Sequence, residues 1–249
     1  MKSFLILILA AAAVCGRAAE QETKLTVPFF CPQPELLYKQ GGSFPFAYFW
    51  RKDYIDMRKY EKIKIEPVVT KFWLDKDGKS SPQLQEALTQ LSDMFVGEIR
   101  RVVEIEGRRI ELSLTDKADG KTMILETALV PVMPLNNFRR FLNYRSEAAF
   151  TDAEMIYGML CRDLVVIEAV VKSGDNGEVI AQLAGLCGEA KNISYTEGKA
   201  WTGDARKLLA DWSLNFISTV KAELNRAKDG RYLSISGKII PPESQKAKK

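Results

Sequence analysis

The chain has no histidine among its 249 residues. Histidine is the commonest general base and a frequent ligand of zinc and iron, so its absence excludes the ordinary serine and cysteine triads and the histidine-based metal sites. Ser218 and Lys221 have the serine-x-x-lysine spacing in which a lysine activates a serine, but the companion motifs are missing. We interpret both as solvent-facing helix residues. The sequence predicts no catalytic, cofactor-binding or metal-binding residues, and we expect the protein not to be an enzyme.

Long apolar runs are lacking after the first residues of the chain. Residues 4–14 are apolar but too few to span a bilayer, and with Lys2 before them and small residues after them they have the form of a secretory signal peptide. We predict a signal peptide over residues 1–18 and an exported, periplasmic protein. Cys15 is either removed with this leader or kept as the attachment point of a lipid that anchors the protein to the outer membrane. Val14 is bulky where a lipidation signal needs a small residue, which favours removal.

Cysteine is scarce, with four in the chain. In an oxidising compartment Cys161 and Cys187 are the nearest pair for a disulfide. The hairpin predicted below places them on opposite faces and out of line. We therefore favour buried thiols, Cys31 included, and keep the disulfide as the alternative.

Neither sign of charge dominates the sequence. The formal net charge is +4, and loss of Lys2 and Arg17 with the leader would lower it to +2. Residues 228–249 carry six basic and two acidic side chains, so the folded body has a net charge near −2. Nucleic-acid binding needs a concentrated basic face, which this body lacks. We expect no nucleic-acid partner, and membrane contact only through a lipid on Cys15 or through the basic tail.

Residues 19–50 are rich in proline and in aromatic side chains. The prolines exclude a long helix or a central strand in this segment. We predict a segment strapped across the core of its own domain, with an exposed contact surface for a partner as the alternative.

Residues 51–230 are predicted to form a single α+β domain. Ile63 and Ile65 alternate with charged residues, as in a half-buried strand. Ser80 and Ser81 can cap a helix that begins at the following proline and ends near residue 107. Further strands are predicted within residues 108–116 and 121–130, and a short helix over residues 136–145.

A hairpin is predicted over residues 162–188, with its turn centred on residues 175 and 176. That centre pairs Ser173 with Glu178 and places Ala169 opposite Gln182. One face of the two strands is then almost wholly apolar.

Glu168 interrupts the first apolar strand of this hairpin. In the predicted register it shares the less apolar face with Lys172. We therefore expect a half-exposed ion pair between them, and keep a buried acid with a raised pKa at Glu168 as the alternative.

The polar loop that precedes the first long helix resembles the start of a calcium loop. Asp75, Asp77 and Glu86 stand at its first, third and twelfth positions. Lys79 and Ser80 occupy positions that need an oxygen donor and a glycine, so we interpret the loop as a polar turn.

The last long helix is predicted over residues 204–227, and residues 231–249 are predicted as an edge strand followed by a basic tail. A capping box formed by Thr151 and Glu154 predicts another, shorter helix. Antiparallel strands together with two long amphipathic helices indicate an α+β fold, a two-layer sandwich with a mainly antiparallel sheet and both long helices on one face.

Several strings of the sequence resemble an uncharacterised bacterial family of exported proteins, many of them lipid-anchored. The matching strings include DMRKYEKIKIEPVV at 56–69, SPQLQEALTQLSDMFVGEI at 81–99 and WTGDARKLLADWSLNFISTVKAEL at 201–224. The residues that match the first strand and the last helix of this family are Tyr60, Ile63, Ile65, Pro67, Trp201 and Trp212. The resemblance implies an envelope location, and because the family has no agreed activity, no catalytic residue can be carried over from it.

These observations favour a non-enzymatic accessory or binding protein of the bacterial envelope, whose partner is an envelope protein or another envelope component. One alternative is a histidine-free periplasmic hydrolase built on Glu168, or on Ser218 with Lys221. The other alternative is a carrier that holds a small apolar ligand between its sheet and its helices.

Overall fold

The computed structural model describes residues 30–39, 44–53, 55–74, 81–145, 150–162, 164–186, 198–228, 232–233 and 239–240. Within these residues the chain has an α+β fold, in which one face of a seven-stranded, mostly antiparallel sheet carries a layer of helices. The predicted fold class is confirmed. The predicted signal peptide with Cys15, the loop residues Asp75 and Asp77, and Cys187 lie outside the described residues.

The main sheet has the strand order β1-β2-β7-β6-β5-β3-β4. Its strands are β1 Tyr38–Lys39, β2 Tyr48–Arg51, β3 Lys62–Ile65, β4 Ser113–Leu114, β5 Thr122–Pro131, β6 Val165–Ser173 and β7 Val179–Leu186. The described α-helices are α1 Pro82–Glu106, α2 Leu135–Arg145, α3 Asp152–Leu160 and α4 Gly198–Lys228. We call the sheet face that meets the helices the inner face, and the opposite one the outer face.

The helix α1 begins, ends and buries its apolar stripe as predicted. The Ser81 hydroxyl accepts a hydrogen bond from the Leu84 amide at 3.0 Å, and Pro82 stands in the first turn, where its missing N–H costs nothing. At Gly107 an added Cβ would lie 2.4 Å from the Leu112 carbonyl oxygen, so only glycine allows the chain to turn back there. The buried stripe consists mainly of Leu84, Leu88, Leu91, Phe95, Ile99 and Val102.

The strand β3 is parallel to both of its neighbours, β4 and β5. Parallel neighbours need a crossover connection, and the connection from β3 to β4 contains α1. Ile63 and Ile65 are buried in the core while Lys62 and Lys64 are half-buried, which confirms the predicted alternation. The strand predicted within residues 108–116 is much shorter than expected, since only two residues of β4 pair.

The main core lies between the inner face and the helices α1, α3 and α4, which also pack on one another. Its centre is a cluster of aromatic rings around Trp212 of α4. The Trp212 ring lies 5.1 Å from Phe95, 5.6 Å from Phe46 and 5.7 Å from Phe216, measured between ring centroids. The rings of Phe95 and Phe46 meet Trp212 edge-to-face and that of Phe216 is stacked on it. Aromatic pairs of these kinds add about 0.5–1.5 kcal/mol to the stabilisation from burial alone.

The helix α3 carries the predicted capping box. The Thr151 hydroxyl accepts from the Glu154 amide at 3.2 Å, and the Glu154 carboxylate accepts from the Thr151 amide at 2.8 Å. Cys161 follows the helix and is buried.

The hairpin of β6 and β7 has the predicted turn but a different register beyond it. The Ser173 amide donates to the Glu178 carbonyl at 2.8 Å, as expected. A β-bulge next to the turn then shifts the pairing by one residue, so that Ala169 faces Leu183 instead of Gln182. Because side chains alternate between the faces of a sheet, a shift by one residue moves Gln182 to the outer face.

In the segment after residue 230, where an edge strand is predicted, the structure describes two short strands. The short strands β8 Tyr232–Leu233 and β9 Ile239–Ile240 pair only with each other, in a separate antiparallel sheet.

The proline- and aromatic-rich segment contributes both to the sheet and to its outer face. β1 and most of β2 lie within it, and β2 pairs with β7. Residues 30–37, which we call the strap, run across the outer face. Phe30 and Leu37 of the strap pack against a small second core, formed by Ala128, Val130, Val166 and Ala184.

Candidate functional site

Glu168 fastens the strap to the outer face of the sheet. Its side chain is only 2% exposed, and its Oε2 accepts hydrogen bonds from the backbone amides of Phe30 at 2.8 Å and of Cys31 at 2.9 Å. A buried carboxylate is costly unless hydrogen bonds compensate it, and these two amides supply that compensation. The burial that the alternative predicts for Glu168 is therefore confirmed.

The predicted ion pair of Glu168 with Lys172 is wrong. The Lys172 ammonium instead lies 2.7 Å from a carboxylate oxygen of Glu126, on the neighbouring strand β5. Glu126 is opposite Val170, so it is the diagonal cross-strand neighbour of Lys172 on the same face. The sequence pattern could not predict this ion pair, because the ion pair depends on the pairing of β5 with β6.

Gln182 holds the strap at a second point. Its amide oxygen accepts from the Gln33 backbone N–H at 3.1 Å, and its amide nitrogen donates to the Gln33 carbonyl at 3.2 Å. The side chain thus imitates the two-bond pairing of a neighbouring strand. It is fully buried, so satisfying both of its polar atoms avoids the penalty of an unpaired buried amide.

The thiol of Cys31, a residue of the strap, is buried against the sheet. Its thiol sulfur is 3.8 Å from the Ala169 carbonyl oxygen and 3.9 Å from that of Leu183. Burial raises the pKa of the Cys31 thiol far above its ordinary value, and the charge and hydrogen bonding of Glu168 raise it further. The thiol is therefore protonated at neutral pH, and a protonated thiol is a poor nucleophile.

The residues of the predicted hydrolase alternative are not brought together. Ser218 and Lys221 are exposed on α4, which packs on the inner face. Glu168 lies on the outer face beneath the strap, so the sheet separates it from both. The glutamate of the calcium-like pattern, Glu86, is exposed on α1.

A crevice between the sheet and the end of α4 is the part of the interior that resembles the predicted carrier site. It is lined by apolar side chains such as Phe49, Met123 and Phe216, and the buried Glu223 at its edge pairs with Arg51 and Arg226. Its volume of about 30 Å³ has room for a water molecule or two, whereas sites for small ligands measure about 300–1,000 Å³.

The edge of the sheet next to the strap exposes aromatic side chains. Tyr38 of β1 is 47% exposed and Tyr48 of β2 is 39% exposed, while Trp50 of β2 is half-buried. We call these three residues the aromatic edge. The strand β1 is only two residues long and pairs with the first two residues of β2, so Trp50 and Arg51 extend beyond it.

Sequence reasoning missed Cys31 and Gln182 as parts of one polar cluster with Glu168. A signal existed for Gln182, since it is the only polar side chain in the string VIAQLAGL of β7. Cys31 gave no comparable signal, because its contacts join positions that are 137 or more residues apart in the chain.

Comparisons with known proteins add little to this geometry. No family model and no curated protein matches the chain. One solved structure, a dodecamer of a PelC variant from Paraburkholderia phytofirmans, aligns with a TM-score of 0.32 and 9% sequence identity, over 67% of this chain and 95% of that chain. A likeness of that size carries no argument about this chain. The resemblance to an exported envelope family therefore stays a prediction.

Two further observations concern the described part of the chain. None of the helices there combines the length and the apolar character that crossing a membrane requires. Within the same ranges, no group of three or more cysteine or acidic side chains is arranged to hold a metal ion.

Proposed function

We propose that this chain is a non-enzymatic, exported binding protein of the bacterial envelope, and that it contacts an envelope protein through the aromatic edge. The observation that carries the proposal is the exposure of Tyr38 and Tyr48 at the end of the sheet. Tyrosine and tryptophan are enriched at protein interfaces, where they bury a large apolar area and keep a polar group. The leader-like residues 1–18 support the envelope location.

An extended segment of the partner fits this surface best. β1 is the last strand at this end of the described sheet, so a peptide strand that pairs along it can continue the sheet next to Tyr38 and Tyr48. In this mode of recognition the backbone supplies hydrogen bonds, and alternate side chains of the peptide contact the aromatic rings. The strap stabilises the edge from the outer face, since Glu168 and Gln182 hold its backbone close to β6 and β7.

A photo-crosslinking amino acid at position 48, expressed in the native host, tests the proposal. Position 214 provides the matched control, because Leu214 is exposed to a similar extent, 42%, but lies on α4. We expect a defined adduct with an envelope protein from position 48 and none from position 214. Replacing Trp50 by serine should weaken the adduct from position 48 without changing the amount of protein.

Two outcomes would contradict the proposal. One is an equal set of adducts from both positions, which would indicate random encounters. The other is a protein that keeps residues 1–18 and stays in the cytoplasm, as intact-mass analysis of cell fractions would reveal. Turnover of an envelope substrate that is lost on replacing Ser218 by alanine would overturn the non-enzymatic part alone.

A further inference from the structure

The helix layer carries a notch whose lining residues have no part in the proposed function. It lies between α1 and α4 and has a volume of about 380 Å³. Its lining residues are Asp93, Met94, Gly97, Glu98, Arg101 and Arg206. Gly97 faces the open space of the notch, since a Cβ at this position would meet no atom within 4 Å.

Glu98 forms the floor of the notch and holds two arginines side by side. Its side chain is 5% exposed, and its two carboxylate oxygens accept separately from Arg206 Nε at 2.7 Å and from Arg101 Nε at 2.8 Å. Burial acts to raise the pKa of Glu98, but the hydrogen bonds from Arg206 and Arg101 outweigh it and keep the pKa below its ordinary value. The carboxylate is therefore charged at neutral pH.

The terminal nitrogens of both guanidinium groups are left without partners in the described part of the chain. Each arginine uses only Nε for Glu98, and within the described ranges Arg101 and Arg206 make no other ion pair or hydrogen bond. Arg101 is 49% and Arg206 is 67% exposed at the side chain. A guanidinium carries five N–H donors, so four remain on each arginine.

The charges of the notch are unevenly placed. Two guanidinium groups share one buried carboxylate, which leaves one net positive charge at that end. Asp93 lines the same notch from α1 and is exposed, and it has no ion-pair partner in the described part of the chain. The notch therefore offers donors for an anion and one carboxylate for a cation.

We propose that the notch binds a zwitterionic phosphate ester of the phosphoethanolamine class. The planar guanidinium forks of Arg101 and Arg206 match the geometry of phosphate oxygens, and Asp93 pairs with the ammonium group of the ligand. The volume of the notch falls within the range of small-ligand sites. This surface lies on the helices and not at the aromatic edge, so this proposal and the proposed function can fail independently.

Calorimetric titration of the folded protein with soluble phosphoethanolamine, inorganic phosphate and ethanolamine tests the ligand class. We expect phosphoethanolamine to bind more tightly than phosphate, and ethanolamine not to bind measurably. Arg206→Gln should weaken the binding of both phosphates by about tenfold, the value of one hydrogen bond to a charged group. Asp93→Asn should abolish the preference for phosphoethanolamine over phosphate. Lys207→Gln, an equal change of charge at the next position of α4, should have no effect.

Vesicles distinguish a lipid head group from a soluble ester. Flotation with vesicles of phosphatidylethanolamine, compared with phosphatidylcholine, would show whether the head group is reached on a membrane surface. Binding of either source that depends on Arg206 supports the proposal. The absence of binding to both sources, or equal binding by Arg206→Gln and Lys207→Gln, would overturn it. Thermal unfolding of each variant checks that the fold is intact.

Discussion

Replacing Glu168 by alanine should release the strap from the outer face of the sheet. The change removes the acceptor of two backbone amides, those of Phe30 at 2.8 Å and Cys31 at 2.9 Å. A buried donor left without a partner costs about 1–3 kcal/mol. Two effects reduce this cost. Phe30 is half-buried, so its backbone amide can donate to water instead. Removing the buried charge also recovers some of its desolvation penalty. We therefore expect the free energy of unfolding to fall by about 3 kcal/mol.

Glutamine at position 168 should have a smaller effect. Both amides donate to the same oxygen, Oε2, so one amide oxygen can keep both hydrogen bonds. The acceptor loses its charge, and hydrogen bonds to a charged acceptor are roughly twice as strong as neutral ones. The expected loss is about 1.5 kcal/mol, half of that for alanine.

Urea unfolding and the alkylation rate of Cys31 measure the two consequences separately. Burial and Glu168 together raise the pKa of the Cys31 thiol, so Glu168→Ala should lower this pKa and also expose the sulfur. Peptide-resolved mass spectrometry should then show faster alkylation of Cys31 in the variant at pH 8.

Glu126→Gln is the matched control for this experiment. Glu126 lies on the same sheet face but is 28% exposed and pairs with Lys172, and such a pair contributes about 0–1 kcal/mol. The substitution Glu126→Gln should leave the alkylation of Cys31 unchanged. The reasoning fails if Glu168→Ala is no less stable than Glu126→Gln and Cys31 stays equally protected in both.

Three other predictions follow from local contacts. Ser81→Ala should lower the free energy of unfolding, measured by urea denaturation, by about 1 kcal/mol, because the N-cap of α1 is lost. Ser218→Ala, the control, should change it by less than about 0.5 kcal/mol. Equal effects of the two substitutions would exclude the cap as the cause. Phe95→Ala should lower the free energy of unfolding by about 3–5 kcal/mol, since the ring is fully buried beside Trp212. A decrease under about 1 kcal/mol would mean that the core is not packed as described. Asp119 should titrate by NMR with a pKa of about 2, because it accepts hydrogen bonds chiefly from Lys62 and then from Thr122 and the Lys121 amide. Its depressed pKa stabilises the fold above about pH 4, and this stabilisation is lost as the pH falls through about 2; an ordinary pKa, unchanged in Lys62→Gln, would contradict the contact.

The parts of the fold that follow from neighbouring residues could be predicted. The caps and the apolar stripe of α1 lie within one stretch of chain, as do the capping box of α3 and the alternation of Ile63 and Ile65. The predicted turn of the β6–β7 hairpin was correct for the same reason. Each of these features depends on contacts between residues a few positions apart, which the sequence pattern displays directly.

The candidate site depends instead on contacts between distant parts of the chain. A single bulge in β7 places Gln182 on the outer face, although the turn alone predicts the inner face. Lys172 pairs with Glu126 because β5 is its neighbour, and this leaves Glu168 to the strap. No spacing in the sequence indicates either choice.

The sequence by itself determined that the chain forms an α+β domain with long amphipathic helices, because hydrophobic periodicity decides which face of each element is buried. It also determined the absence of histidine chemistry. Only the tertiary structure decided which polar side chains are buried together and what they hold. Buried polar groups must find partners wherever the packing of distant elements brings a donor and an acceptor into reach. Glu168 and Gln182 meet the strap, with its Cys31, only in the folded protein.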